Sequence, residues 1–240
     1  MALGHSPSTV LDGLIFHLDA GNTRSYSGSG VNVNCLVGGT GGTLVNGAGF
    51  TSTNSGLFFF DGINDYIDIP FSGTGISCLF NNFTISFLAR PFFTITASTE
   101  STSGAPGIAG KRYIVEPRYA EMANAAGWGV ALGTNVIEVL EHTAGHLPVL
   151  LSYSANITGI NHFTVVSDNK TPLVYINGNL VRTGLTSAKN LTTFYLDTNL
   201  GGYIYGYNPC HILNYSIYNR VLSQQEILQN YNATKGRYGL

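Results

Sequence analysis

The stretch from His162 to Val181, HFTVVSDNKTPLVYINGNLV, decides the fold. Its apolar residues fall into three short runs, with polar and turn-forming residues between them. Asn177-Gly178 is the strongest hairpin signal in the chain, because a tight type I′ turn needs a positive φ angle at both central residues. The stretch therefore predicts three consecutive strands, the last two joined by a two-residue turn.

The same pattern of short apolar or alternating runs continues through the rest of the chain. Phe83–Ala89 alternates with period two and predicts a central strand. Gly133-Thr134-Asn135 lies between two apolar runs and predicts a second hairpin. The chain is therefore expected to be all-β. The other expected strands are Leu14–Leu18, Thr43–Val45 within a long Gly-rich loop from Ser25 to Gly49, and Leu57–Phe60 and Tyr66–Pro70 joined by a tight connection.

One helix is expected near the end of the chain. Ser223 with Glu226 three residues later forms a capping-box pattern. Ile227, Leu228 and Tyr231 follow on one face, so we expect this face to dock on a sheet edge. No composition step or linker divides the chain, which predicts an N-terminal arm over residues 1–12 and one domain over residues 13–240.

The composition excludes several classes of function. The 240 residues include 30 Gly and only 10% charged residues, with a net charge of −2. Acidic and basic residues are scattered singly, so no basic surface is expected for nucleic acid or an anionic membrane. No run reaches the roughly 18–20 apolar residues of a membrane helix. The first residues lack the pattern of a signal peptide, so we expect synthesis in the cytoplasm.

Five segments of the chain, taken in order, carry a resemblance to a known family. They are Gly13–Asn22, Phe60–Ile67, Asn161–Val165, Val174–Gly178 and Ile217–Ile227. Together they resemble the concanavalin A-like lectin/glucanase domains of the laminin-G-like or pentraxin-like kind. The resemblance implies a jelly-roll sandwich of two antiparallel sheets, to which the short C-terminal helix expected above is added. The opening LDAGNTRSY from Leu18 and the closing YNATKGRY from Tyr231 also resemble the versions found in structural proteins of tailed phages.

The resemblance implies a non-enzymatic virion protein, either a capsid decoration or a tail-associated protein. Such a protein is expected in the virion after assembly in the host cytoplasm. Its expected partners are other virion proteins, further copies of itself in a symmetric homo-oligomer such as a trimer, and host surface glycans. Two alternatives stay open: a soluble calcium-dependent lectin and, less favoured, a glycoside hydrolase.

Sugar binding requires aromatic rings beside amides and carboxylates on a loop surface. Glycines and a proline surround a tyrosine cluster near residue 205 and break any regular strand there, so the cluster is a candidate sugar surface or subunit interface. Trp128 is a further candidate, but its apolar surroundings favour a core position. The candidates are Tyr203, Tyr205, Tyr207, Asn208 and Trp128.

Calcium is the one candidate cofactor, although none is expected to be required. Four residues with oxygen ligands crowd one turn, and pentraxin-like relatives bind calcium near such a turn. The alternative is that these side chains satisfy backbone groups of the turn. The four residues are Asp61, Asn64, Asp65 and Asp68.

The hydrolase alternative requires a pair of carboxylates in one cleft. Glu138 and Glu141 are the nearest match, but a spacing of three places them on opposite faces of a strand. They are therefore expected to lie at a solvated strand end. His142 and His146 are expected in a loop, because Gly145 and Pro148 interrupt any helix there.

Overall fold

The computed structural model describes residues 8–70, 78–108, 110–202 and 205–240. Within these ranges, one α-helix, α1 (Gln224–Tyr238), and two 3₁₀ turns (Thr53–Ser55 and Pro106–Ile108) accompany seventeen strands. No helix of the described residues is both long and apolar enough to cross a membrane. The strands are β1 (Leu14–Asp19), β2 (Asn32–Val33), β3 (Gly42–Val45), β4 (Gly49–Thr51), β5 (Leu57–Asp61), β6 (Tyr66–Asp68), β7 (Cys78–Phe80), β8 (Phe83–Pro91), β9 (Tyr113–Val115), β10 (Ala125–Leu132), β11 (Val136–His142), β12 (Val149–Ser154), β13 (Asn161–Asp168), β14 (Thr171–Ile176), β15 (Asn179–Thr183), β16 (Leu191–Tyr195) and β17 (Pro209–Tyr218).

Two large sheets form a sandwich, which confirms the predicted all-β class. The eight-stranded sheet has the order β15-β14-β13-β8-β17-β5-β4, with β1 also paired to β17. The six-stranded sheet has the order β12-β11-β10-β16-β7, with β9 also paired to β10. A small third sheet has the order β2-β3-β6. Neighbouring strands are antiparallel except β10 and β16, which run parallel.

The core lies between the two large sheets. Alternate residues of β8 point into it, as the period-two pattern predicts. Phe87 stacks on Phe163 of β13 within the eight-stranded sheet, at 5.3 Å between ring centroids. Phe83 packs edge-to-face on Trp128 of the opposite sheet, also at 5.3 Å. The contact between Phe83 and Trp128 joins the two layers.

Helix α1 contacts the edge strand β15, as the predicted docking on a sheet edge requires, and it also covers the outer face of the eight-stranded sheet. Its capping box is confirmed, with both reciprocal bonds between Ser223 and Glu226 present. Ile227 packs against side chains of β13, β14 and β17, and Tyr238 packs against side chains of β5, β8 and β17. The sequence did not reveal that the helix covers this outer face, because hydrogen-bonded polar residues on a covered face resemble solvent-exposed residues in sequence.

A buried polar layer separates part of this face from the helix. Ser86 Oγ lies 2.9 Å from His162 Nε2 and 3.1 Å from Thr164 Oγ1. His17 Nδ1 lies 2.8 Å from Ser216 Oγ. Burial lowers the pKa of His162 to about 4, so its ring is neutral at physiological pH. Paired polar groups therefore replace apolar contacts here.

The hairpins were predicted correctly where a turn signal joins two strands. β10 pairs with β11, and β14 pairs with β15 through Asn177 (φ 52°) and Gly178 (φ 81°). β5 and β6 do not form the expected pair, because β5 joins the eight-stranded sheet and β6 joins the small sheet. The turn after Asp61 therefore carries the chain from one layer to the other.

The first strand and the last helix are held together by one carboxylate. Asp19, at the end of β1, accepts two hydrogen bonds from the Arg237 guanidinium, at 2.6 and 3.0 Å. Its Oδ1 also accepts from the Tyr238 hydroxyl and from the backbone N–H of Gly21, each at 3.0 Å. A Cβ at Gly21 would collide with the Ser55 carbonyl and the Arg237 guanidinium, so only glycine fits this approach. The described part of the predicted arm also packs on α1, where the Asn230 side chain accepts from Val10 N–H at 2.8 Å.

We expect Arg237→Gln to lower the free energy of unfolding by about 2 kcal/mol, because it leaves the buried Asp19 carboxylate without its cation. Urea denaturation followed by circular dichroism measures this. Lys235→Gln, at an exposed residue of the same helical turn, serves as the control and should change stability by less than about 0.5 kcal/mol. An equal loss of unfolding free energy in the two variants would show that the Asp19–Arg237 ion pair adds no stability beyond that of an exposed lysine.

Candidate functional site

An open cleft lies where the small sheet meets the six-stranded sheet. Leu200 joins them: it exchanges backbone hydrogen bonds with Ile67 of β6 at 2.8 and 3.1 Å, and it also bridges to Val115 of β9. The cleft above this junction has a volume of about 450 Å³. Its lining residues are Tyr66, Asp68, Ile69, Pro70, Glu116, Pro117, Arg118, Tyr119, His142, Asp197, Asn199 and Tyr205.

One wall of the cleft is the segment that follows β9 and crosses the outer face of β10. Two glycines of β10 make this crossing possible. A Cβ at Gly127 would collide with the carbonyl of Arg118, and a Cβ at Gly129 would collide with the backbone of Pro117. The alternation of glycine with apolar residues in β10 therefore places Glu116, Arg118 and Tyr119 directly on the sheet.

Three rings form a cluster in the cleft. The His142 ring meets Tyr119 edge-on at 5.4 Å and Tyr205 edge-on at 4.8 Å between centroids. Since His142 Nδ1 lies 2.7 Å from the Pro117 carbonyl, it carries the proton, and Nε2 accepts from the Tyr205 hydroxyl at 3.2 Å. Burial lowers the pKa of His142, so its ring is neutral. Its Nε2 is then a fixed acceptor for the Tyr205 hydroxyl. Tyr119 is 43% exposed and presents its ring to solvent.

Carboxylates supply the polar groups of the cleft. Glu116 is buried, and its Oε2 lies 3.5 Å from the Asn199 amide. Burial raises its pKa to about 7, against smaller opposing effects of Arg118 and Asn199. Asp197 forms an ion pair with Arg118, while Asp68 is exposed at the rim. The cleft thus combines exposed aromatic rings with hydrogen-bond acceptors.

The structure brings only part of the predicted tyrosine cluster to this cleft. Tyr205 lines it, and the Tyr207 ring lies 6.2 Å from Tyr66, another lining residue. Tyr203 lies outside the described residues. Asn208 is fully buried and donates to the carbonyls of Arg112 and Leu132, which excludes it from a surface site. Trp128 lies in the core and is only 1% exposed. It therefore cannot be a sugar platform, and the core position given above as its alternative is confirmed.

In the turn proposed for calcium, two of the four predicted ligands accept hydrogen bonds from backbone groups. Asp61 Oδ1 accepts from the backbone N–H of Ile63 at 2.7 Å and of Asn64 at 3.4 Å, and Asp65 Oδ2 accepts from Asp61 N–H at 3.2 Å. These carboxylates are used to hold the turn. Asp68 instead lines the cleft. Nowhere in the described ranges do three or more His, Cys, Asp or Glu side chains form a group that could hold a metal ion.

The two glutamates of the hydrolase alternative lie on opposite faces of β11, as predicted, but they are not solvated. Both side chains are fully buried. Glu138 pairs with the buried Lys111 at 2.6 Å, and its Oε1 accepts from Ser98 N–H at 2.6 Å. Glu141 Oε2 lies 3.3 Å from His146 Nε2. Each glutamate therefore has its own structural partner, and they do not share a cleft.

Most residues of the cleft were missed by sequence reasoning. His142 was expected in a loop but ends β11, where its ring becomes the centre of the aromatic cluster. Glu116 to Tyr119 and Asp197 to Asn199 follow strands in two short polar segments. Their positions after strand ends were the only available signal. That signal did not reveal that the two segments, 80 residues apart, meet.

We expect Glu116→Gln to make the protein more stable than wild type at pH 8 but not at pH 4.5. The folded state holds the Glu116 proton up to a pKa of about 7, whereas the usual pKa is 4.5. Folding therefore binds a proton between these values, and the wild type loses stability as the pH rises through them, by about 3 kcal/mol at most. Urea denaturation at several pH values measures the difference.

Glu121→Gln, at an exposed residue five positions further on, is the control and should show no such pH-dependent gain. A stability difference between Glu116→Gln and wild type that stays constant from pH 4.5 to pH 8 would contradict the raised pKa.

Comparison with known proteins gives a likeness of fold. No protein-family model matches the chain, and no curated protein matches it. Among solved structures, the chain is similar to the botulinum neurotoxin serotype D ligand-binding domain in complex with N-acetylneuraminic acid (TM-score 0.64, 14% identity, 92% of this chain and 50% of that chain). It is also similar to the serotype G binding domain (0.63, 17%, 91% and 50%) and to the binding domain of Paraclostridial Mosquitocidal Protein 1 (0.57, 17%, 92% and 52%).

The chain therefore spans about half the length of these structures. At such identities the likeness concerns the fold alone. It agrees with the predicted β-sandwich fold.

Proposed function

We propose that this protein is a non-enzymatic carbohydrate-binding module and that the cleft around Tyr119 and Tyr205 holds the sugar. The observation that carries the proposal is the cluster of the two tyrosines and His142 beside Glu116 and Asp197. An aromatic ring offers its face to the C–H groups of a sugar, and carboxylates accept hydrogen bonds from its hydroxyls. The cleft is open, so a terminal sugar residue can enter while the rest of a chain stays in solvent.

The structural neighbours support the class of ligand by analogy. The serotype D domain was solved with N-acetylneuraminic acid, and cell entry of the type C neurotoxin depends on two ganglioside molecules. The type DC domain was solved with rat synaptotagmin II, a protein receptor. Because a shared fold does not fix a function, the cleft of this chain carries the argument and the neighbours add to it.

The glutamate pair predicted for hydrolysis does not support that alternative. The predicted glutamate pair is divided between two faces of β11 and held by Lys111 and by His146. Hydrolysis requires two carboxylates on either side of one scissile bond. Calcium is not part of the proposal, because two of the predicted ligands, Asp61 and Asp65, accept hydrogen bonds from the backbone of their own turn.

We expect Tyr119→Ala and Tyr205→Ala each to weaken binding of a sugar about tenfold, equivalent to about 1.4 kcal/mol. A glycan array identifies the sugar, and isothermal titration calorimetry gives the affinity with and without EDTA. Tyr205→Phe removes the hydroxyl but keeps the ring, so it should weaken binding less than Tyr205→Ala does.

Tyr231→Ala is the matched control, because Tyr231 lies on α1 over the other sheet, where its ring is 6.1 Å from that of His162. Its affinity should equal that of the wild type. Loss of binding in Tyr231→Ala equal to that in Tyr119→Ala would place the sugar elsewhere, and loss on EDTA addition would restore the calcium-dependent alternative.

A place in a phage virion, as a capsid decoration or a tail-associated protein in a homo-oligomer, stays a proposal that rests on the resemblance of the two end segments. Those segments meet through Asp19 and Arg237. This contact explains why they occur together, but it serves the fold and says nothing of a particle. Mass spectrometry of purified virions tests the role, and absence of the chain from them would refute it.

A further inference from the structure

The charges in the cleft point to the class of sugar it accepts. Its charged lining residues are three acidic side chains, Asp68, Glu116 and Asp197, and one basic side chain, Arg118. His142 is neutral because its pKa is lowered and its Nε2 accepts a hydrogen bond. With Glu116 ionised, the cleft carries a net negative charge that no described lining residue offsets.

Arg118, the one basic side chain among the described lining residues, is already paired with a carboxylate. Its guanidinium forms an ion pair with Asp197, and it also lies over the Tyr195 ring at 5.2 Å. An anionic ligand that shared Arg118 would bring its negative charge close to the Asp197 carboxylate, which repels it.

The cleft also contains carboxylate acceptors with few hydrogen-bond donors directed at them. Asp197 Oδ1 is buried and accepts no hydrogen bond from the described residues. Glu116 receives one long contact, from the Asn199 amide. Glu116 lines the cleft with this single contact from the described residues, so a ligand that brings hydroxyl donors can satisfy its carboxylate. Two adjacent hydroxyls on a sugar ring match two carboxylates, because a carboxylate accepts two or more hydrogen bonds.

We propose that the cleft binds uncharged sugars through adjacent hydroxyls and rejects sugars that carry a carboxylate, such as sialic acid. This inference rests on the proposed function, but it departs from the ligand of the serotype D neighbour, which was solved with N-acetylneuraminic acid. Glu116 and Asp68 then determine specificity: Glu116 contacts the sugar inside the cleft, and Asp68 adds negative charge at its rim.

The test uses matched oligosaccharides that differ only by a terminal sialic acid, together with neutral oligosaccharides that end in glucose, mannose or N-acetylglucosamine. Binding is measured at pH 8, where Glu116 is ionised because its pKa is about 7. We expect the wild type to bind at least one neutral probe at least tenfold more tightly than any sialylated probe.

The variants Glu116→Gln and Asp68→Asn remove the negative charges while keeping the side-chain shapes. We expect the double variant to reduce the preference for neutral sugars at least threefold, mainly by improved binding of sialylated probes. High salt should reduce the preference in the wild type, since salt screens the repulsion. Tyr231→Ala should keep the full preference, and thermal melting checks that all variants are folded.

The outcomes separate the two levels of the argument. If sialylated probes bind as tightly as neutral ones and Tyr205→Ala abolishes both, sugar binding in the cleft stands and the inference on charge is overturned. An unchanged preference in the double variant overturns it as well. If no probe of either kind binds to the wild type, the proposed function fails and the inference falls with it.

Discussion

The ion pair between Asp19 and Arg237 joins the first strand of the sandwich to its C-terminal helix. Asp19 ends the first strand and Arg237 belongs to the last turn of α1, so one carboxylate joins segments 218 residues apart. The same contact holds the helix against the outer face of the eight-stranded sheet. There the helix covers the polar layer around His162. Without the helix, these buried groups would face water and the sheet would be open on that side.

The sequence predicted what short-range signals determine. Hairpins with Asn-Gly or Gly-Thr-Asn turns, the alternating core strand β8 and the capping box at Ser223 depend on residues within a few positions of one another. The sheet to which each strand belongs does not depend on such nearby residues. β5 and β6 lie next to each other in sequence but belong to different sheets, because pairing with β17 and with β3 outweighs pairing across their own turn.

The site could be predicted only in part for the same reason. Tyr205 was found because glycines around it indicate an exposed, irregular segment. Glu116 and Asp197 come from segments far apart in sequence, and they meet because Gly127 and Gly129 let one segment cross β10 and because Leu200 bridges two sheets. Trp128 is a candidate that the structure removes, since its large aromatic ring packs in the core against Phe83 and not at the surface.

The contact between the two ends of the chain also bears on how the protein is made. Asp19 leaves the ribosome 218 residues before Arg237 does. Until Arg237 and Tyr238 emerge, β1 lacks its partner in α1 and the outer face of the eight-stranded sheet stays uncovered. A nascent chain stalled before residue 237 therefore exposes a face that other proteins, including chaperones, can bind.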